Sequence, residues 1–474
     1  MVTRRRLLEN AVKISAGLAC APAAISLADE SASITLRLIH GTPVELPANF
    51  IGLGYEMSSV ASEGLLDPEN HPYIELIKGL GPKGVLRVGG IVANYTRYEP
   101  KGTALAERQN TVITRAVLER FAAFLRITGW TAIWSLNFAQ GTIQQAAEEA
   151  RAVADVLGPQ LLALEVGNEV DNYGGIRQTF RKAPYGYEAY RREYAAWHAA
   201  IEKSAPGVRF AAPDTAQTGK WVEQMAKDAN GDVQLLTTHY YRNNQRRGSV
   251  EQLLLPDSRL KEALTQLRAA SQRSGIPWRM CETNSFSGGG RPGVSDTLVG
   301  ALWTLDYMLL LAQYGCAGVN IETGVNQLGF VSSYSPIQDN GQGVNTAGVP
   351  YYGMLAFATA VSGAHQVLPA EIESGGVNVT AYVLGAQGTP RCIVVVNKDN
   401  RQDAQLSIPD IGIGDLAALR LLAPSADSKD GVTFGGAEVD AQGRWKAKAA
   451  ERIRGRSVKV PRMSAAVLRA VDQH

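Results

Sequence analysis

Residues 161–171 read LLALEVGNEVD: an apolar run, Leu161 to Leu164, passes through Glu165, Val166 and Gly167 to Asn168 and Glu169, where polar chemistry starts abruptly. A short apolar run ending in a break is the pattern of a buried parallel strand. A carboxylate just past the end of such a strand stands where barrel proteins place their reactive groups. Asn168 and Glu169 alone fit a helix cap or a loop turn better than catalysis, so the reading depends on whether the chain supplies a partner.

The same pattern recurs on both sides. Apolar runs at 50–55, 84–88, 130–137, 161–167, 208–212, 233–239, 278–281 and 317–321 alternate with helical stretches at 73–80, 114–128, 143–157, 187–204, 219–229, 260–274, 297–314 and 352–361. Alternation of this kind builds a parallel sheet covered by helices, and eight strand-helix units match a closed (β/α)8 barrel, a TIM barrel. A doubly wound open sheet is the alternative. The stretch 297–314 is almost apolar enough to resemble a membrane span, but Asp306 in its middle and its length make it a barrel helix.

After residue 363 the period shortens to two. Runs at 377–384, 391–396, 404–408, 416–422, 444–447 and 457–467 read as short strands separated by Gly, Pro, Asp and Asn, the pattern of a C-terminal antiparallel β-sandwich. Residues 33–46, with Ile34, Leu36 and Leu38 alternating, have the same period and read as a strand lent to that domain. The expected division is therefore a leader at 1–28, the lent strand at 29–48, the barrel at 49–363 and the sandwich at 364–474. The leader carries Arg4-Arg5-Arg6 before two leucines and a small-residue apolar core. It reads as a twin-arginine export signal, with Cys20 as a weaker lipoprotein alternative, and implies a periplasmic or secreted protein.

Of four cysteines, Cys281, Cys316 and Cys392 follow the leader, too widely spaced for a disulfide framework or a metal site. No phosphate-binding glycine loop or Ser-His-Asp order stands out, and we expect no cofactor and no metal. A net charge of +2 gives no general attraction to nucleic acid. Nothing after the leader needs a membrane, and the sequence leaves the oligomeric state open.

The partner carboxylate comes three strands on, where residues 276–281 run into Glu282 and then Thr283-Asn284-Ser285-Phe286-Ser287-Gly288-Gly289-Gly290. On this count Glu169 and Glu282 end strands four and seven, and both strand ends face one cavity. Two carboxylates converging across a pocket are the minimal machinery for cleaving a glycosidic bond. Arg87, ending strand two, and His239 with Tyr241, after strand six, are placed to keep Glu282 ionised.

The G-N-E segment and the C-E-T-N-S-F-S-G-G-G segment together resemble clan A retaining glycoside hydrolases, and most closely glycoside hydrolase family 79, the β-glucuronidases and heparanases. Leu86-Arg87-Val88-Gly89-Gly90, Thr238-His239-Tyr240-Tyr241 and Ser295-Asp296-Thr297 fit the same family, and the resemblance spans the chain after the leader. It implies Glu169 as acid/base, Glu282 as nucleophile and Asn168 as ligand of the sugar 2-hydroxyl. It also implies the backbone amides of Gly289 and Gly290, with the Tyr334 phenol, as binders of a uronate carboxylate, and Glu56 as a contact to sugar hydroxyls. Two positions depart from the pattern: Val170 replaces a proline after the catalytic glutamate, and Ser287 replaces a carboxylate-gripping tyrosine. The implied substrate is a glucuronic-acid-containing oligo- or polysaccharide.

Arg97, Arg177, Arg181, Lys182, Arg242, Arg246, Arg247 and Arg291 fall in the loops at the strand ends and suggest a cleft for a polyanionic glycan. Tyr173, Tyr185, Tyr187, Tyr240 and Tyr241 offer faces for sugar stacking. A neutral-sugar retaining β-glycosidase, or a carbohydrate-binding protein without catalysis, would share the barrel but not the full set of site residues.

Overall fold

The computed structural model describes residues 31–175, 178–216, 219–324, 332–339, 345–408, 411–448, 450–453 and 455–471. The leader at 1–28, Cys20 and Arg177 lie outside these residues. Eight parallel strands close into a barrel: β1 (Ile51–Glu56), β2 (Val85–Gly89), β3 (Thr131–Leu136), β4 (Leu161–Val166), β5 (Phe210–Thr215), β6 (Leu235–Asn244), β7 (Trp278–Ser287) and β8 (Val319–Glu322). Pairing of β8 with β1, Val319 opposite Ile51, shuts the ring. Every apolar run read as a barrel strand is one.

The longer helices are α1 (His71–Gly79), α2 (Arg115–Thr128), α3 (Ile143–Leu157), α4 (Tyr187–Ser204), α5 (Lys220–Asp228), α6 (Ser258–Ser274), α7 (Leu298–Gln313) and α8 (Val349–Val361). Their starts follow local chemistry. Thr142 and Gln145 form a capping box ahead of α3, and the Thr114 side chain accepts the Val117 N–H ahead of α2.

β6 and β7 outrun their sequence-based limits. They stay paired to Asn244 opposite Ser287, so Glu282 lies within β7 rather than past its end. A register shift between Thr238 and His239 sets His239 opposite Glu282. Bulges re-aim side chains in this way.

The antiparallel domain is two packed sheets. The larger contains the strands Gln366–Leu368, Val379–Ala386, Thr389–Asn397, Ser464–Ala470 and Leu416–Leu422, and the smaller has four strands. Within Thr389–Asn397, Cys392, Val394 and Val396 join the barrel's core while Ile393 and Val395 join the core between the sheets. That period-two division shows the large sheet is buried on both faces. It also explains α7, whose nearly uniform apolarity reflects burial on almost all sides. Asp306 of α7 accepts bonds from Lys398, Thr380 and Tyr382, tying helix to sheet. No helix among the described residues is long and apolar enough to cross a membrane.

Three sandwich readings need correction. Residues 33–46 form two strands, Ala32–Leu38 in the small sheet and Val44–Glu45 in the large one. Residues 457–467 also split, because Pro461 and a left-handed Met463 (φ 49) send Ser457–Val460 and Ser464–Ala470 to different sheets. Residues 444–447 are not a strand. Trp445 instead stacks on Phe434, ring centres 5.1 Å apart, and donates to its carbonyl.

Candidate active site

At the carboxyl ends of the barrel strands the side chains converge on Arg87, which is fully buried at the end of β2. Its Nε donates to Glu165 Oε2 at 2.9 Å, its Nη1 to Glu282 Oε2 at 2.8 Å, and its Nη2 to Asn168 Oδ1 at 2.8 Å and Asp214 Oδ2 at 2.6 Å. Gly89 and Gly90 make room for this. A side chain at Gly89 would meet Arg87 Cζ at 2.6 Å, and one at Gly90 (φ 68) would strike the Glu56 carboxylate.

The Gly167-Asn168-Glu169 turn presents the first carboxylate. Gly167 (φ 98) and Glu169 (φ 51) both take left-handed backbone, and Val170 packs so closely over Gly167 that a Cβ there would lie 2.5 Å away. A non-glycine residue held in that region marks a strained, over-determined site. Asn172 Nδ2 reaches Glu169 Oε2 at 3.3 Å, while the Asp171 carboxylate accepts the Ala216 N–H at 2.8 Å and pins the turn to the β5 loop.

Glu282 receives a donor on each oxygen, Arg87 on one and the Tyr241 hydroxyl, at 2.9 Å, on the other. His239 lies between the carboxylates, its Nδ1 3.3 Å from Glu169 Oε1 and 3.8 Å from Glu282 Oε2. One ligating atom from each of Glu169, His239 and Glu282 falls within 4.8 Å of the others. Both glutamates keep some exposure, 23% and 13% of their side chains, whereas Arg87 and His239 have none. The two carboxylate side chains reach the surface, and the Arg87 and His239 side chains behind them do not.

Electrostatics divide the cluster. Burial and the nearby Glu282 charge push Glu56 up to about 8, against the Val92 N–H it accepts at 2.8 Å. Burial also raises Glu165 to about 7, despite donors from Arg87 and Ser135. For Asp214 burial works in the same direction, but Arg87 and His239 overcome it and hold the carboxyl below its ordinary range.

The structure brings Asn168, Glu169, His239, Tyr241 and Glu282 into one pocket, with Glu56 on its β1 side. Tyr334 stacks on Tyr241, ring centres 6.3 Å apart. The glycine amides divide: the Gly290 N–H donates to the Phe286 carbonyl at 3.0 Å and is removed as a carboxylate donor, while the Gly289 N–H has no partner among the described residues. The Gly289 carbonyl accepts from Ser333 Oγ at 3.0 Å, so this turn also seats the loop carrying Tyr334.

Four of the seven described basic loop residues are already committed. Arg97 is held by Glu99 and Asn110, Arg181 by Glu193 and three main-chain carbonyls, Arg242 by Asp257, and Arg291 by the Gly248 carbonyl. Lys182, Arg246 and Arg247 are exposed, as are Arg97 and Arg291 despite their partners. The tyrosines thin out similarly. Tyr173 and Tyr187 are buried, Tyr185 packs on Tyr173, and Tyr240 points away to stack on Tyr307. Tyr241 alone of the five bonds a catalytic candidate.

The sequence reading missed Asp214 and Glu165. Each carried a signal, since a charged residue inside an apolar strand must find a buried partner.

The closed barrel with appended antiparallel sheets, carrying Glu169 just past β4 and Glu282 within β7, has the fold of several solved glycoside hydrolases. In sequence it is a distant homologue of fungal β-glucuronidases of glycoside hydrolase family 79. It is 23% identical to a β-glucuronidase of Aspergillus niger over 414 residues, 75% of either chain. To a β-glucuronidase of Neurospora crassa it is 27% identical over 342 residues, 63% of this chain and 58% of that one. No family model matches the chain. Among solved structures, a 4-O-α-L-rhamnosyl-β-D-glucuronidase from Fusarium oxysporum superposes with a TM-score of 0.73 at 16% identity, covering 92% of this chain and all (100%) of that one. A family 51 α-L-arabinofuranosidase from Bifidobacterium longum gives 0.67 at 16% identity, covering 92% and 99%.

Proposed function

We propose that this protein is a retaining β-glucuronidase that cleaves β-linked glucuronic acid from a glycan by double displacement. The observation that carries this reading is the spacing of Glu169 and Glu282, one oxygen of each within 4.8 Å of the other. Retention uses carboxylates about 5 Å apart, whereas inversion needs roughly 6.5 Å or more to admit a water.

Glu282 attacks the anomeric carbon while Glu169 protonates the departing oxygen; water, activated by Glu169, then releases the sugar. Donors on both Glu282 oxygens orient the carboxylate for attack and ease its departure in the second step. Arginine can only donate, so the bond from Arg87 fixes Asn168 with its Oδ1 turned inward. The Asn168 amide hydrogens are left for the sugar 2-hydroxyl, whose bond strengthens as charge develops at the anomeric carbon. Tyr334, Tyr241 and the Gly289 N–H form the side of the pocket that receives the sugar carboxylate. The Arg4-Arg5-Arg6 leader supports action outside the cytoplasm.

A second reading, a retaining β-glycosidase of a neutral sugar, is favoured by Ser287 and by the committed Gly290 amide. A panel of nitrophenyl β-glycosides separates the two. We expect kcat/KM to be highest on the glucuronide; preference for the glucoside or galactoside would replace the first reading with the second.

A further inference from the structure

His239 is fully buried, and both its ring nitrogens face carboxylates. Nε2 lies 2.9 Å from Asp214 Oδ1, and Nδ1 lies 3.3 Å from Glu169 Oε1 and 3.8 Å from Glu282 Oε2. A neutral imidazole has one N–H and one lone pair. Where the carboxylates on both sides are ionised, either neutral tautomer would turn a lone pair onto a carboxylate oxygen, and only the doubly protonated ring satisfies both sides.

Asp214 is built for this contact. It is the unpaired residue at a register shift in β5, where Pro213 lies opposite Thr237 and Thr215 opposite Thr238, and it takes left-handed backbone (φ 56). An aspartate holds such a conformation when its surroundings fix it. One oxygen accepts from His239 and the other from Arg87. The two cations that approach Glu282 are thus anchored by one fully buried carboxylate.

Every charge facing His239 bears on its state: Asp214 on β5, Glu169 and Asp171 after β4, Glu282 on β7 and, behind Asp214, Arg87 on β2 and Glu165 on β4. Burial alone would lower the imidazole pKa. The Asp214 and Glu282 carboxylates more than offset this and hold it well above its ordinary range.

We propose that Asp214 is a positioning residue that locks His239 as an imidazolium whose Nδ1–H is shared between Glu169 and Glu282. The inference rests on the reading of those glutamates as the catalytic pair. In the first half-reaction the imidazolium faces the Glu282 anion and stabilises it. In the second it stabilises the ionised Glu169 that activates water. His239 itself transfers no proton. Asp214 acts only through it and through Arg87.

The test uses the full chain with 15N-labelled histidine, the His239 signal being assigned by its loss in His239→Gln. In the wild type the ring should stay doubly protonated from about pH 5 to 8; in Asp214→Asn it should titrate inside that window, a shift of about 2 pH units or more. Asp214→Glu should restore part of the shift. On a nitrophenyl glucuronide, Asp214→Asn should move the alkaline limb of kcat/KM to lower pH and reduce kcat more than it raises KM, effects that a loss of thermal stability alone would not produce. A wild-type His239 neutral at pH 7, or one that titrates identically in folded Asp214→Asn, overturns the proposal. If Asp214→Asn does not fold, the wild-type titration alone decides. Since the titration needs no turnover, an inactive wild type would defeat the glycosidase reading without touching this result.

Discussion

Two arginines are buried inside this barrel, and they live in opposite chemical worlds. Arg87, at the carboxyl end of the strands, bonds three carboxylates and an asparagine drawn from β4, β5 and β7. Arg279, at the start of β7, is 1% exposed and bonds the carbonyls of Asn49, Phe50, Ala317 and Val319 with the amide oxygen of Asn320. No carboxylate among the described residues pairs with it, and burial pushes its pKa down to about 10. Main-chain carbonyls are fixed by the fold, so Arg279 closes the barrel floor and answers to nothing else. The partners of Arg87 are side chains, among them Glu282 and Asn168, the proposed nucleophile and sugar ligand. In such barrels the upper face serves chemistry and the lower face stability, and the two arginines stand one on each.

Substitutions can break this contrast. The largest effect belongs to Glu282→Ala, which should cut kcat on an aryl glucuronide by about ten-thousand-fold or more, the scale expected for removal of a nucleophile; near-wild-type turnover would show that the upper cluster is structural too. Arg87→Met should lower kcat/KM by about 100- to 1,000-fold and destabilise the fold by about 3–5 kcal/mol, because it leaves buried carboxylates without their cation. Arg279→Met should cost about 1–3 kcal/mol in denaturant unfolding through carbonyls left unsatisfied. At temperatures where it stays folded, its kcat/KM and pH profile should match the wild type. An altered pH profile there would erase the distinction between the two faces.

Much of this was legible in the sequence because apolar runs report burial directly. All eight barrel strands and both catalytic candidates follow from where such runs stop, as at Gly167 and Cys281. The bulges were not legible. Nothing in the order of residues says that Thr238 and His239 shift register, or that Asp214 is left unpaired in β5, since both depend on how neighbouring strands close the ring. The commitment of Arg97, Arg181, Arg242 and Arg291 was hidden for a related reason. A basic loop looks available until the chain folds acids and carbonyls against it. In the sandwich, Ala32–Leu38 and Val44–Glu45 read as one strand because alternation cannot reveal a change of sheet.

The smallest predicted effect sharpens the comparison with a buried acid that has no cation. Glu149 accepts the Trp134 indole N–H at 2.8 Å, and burial raises it from 4.5 to about 7. Because the folded value is the higher, its contribution to stability is complete below pH 4.5 and is lost as pH rises through about 7. Glutamine keeps the acceptor without the charge. Thermal unfolding of Glu149→Gln should therefore show a growing gain over wild type from pH 5 to pH 8, reaching about 2 kcal/mol. A gain independent of pH would mean that Glu149 does not titrate in this range.

The central claim is that Glu169 and Glu282 work as a retaining pair. Proton NMR of the first sugar released from a nitrophenyl β-glucuronide tests it directly. The account predicts that the β-anomer appears first and mutarotates to the mixture; the α-anomer appearing first would mean inversion and contradict it.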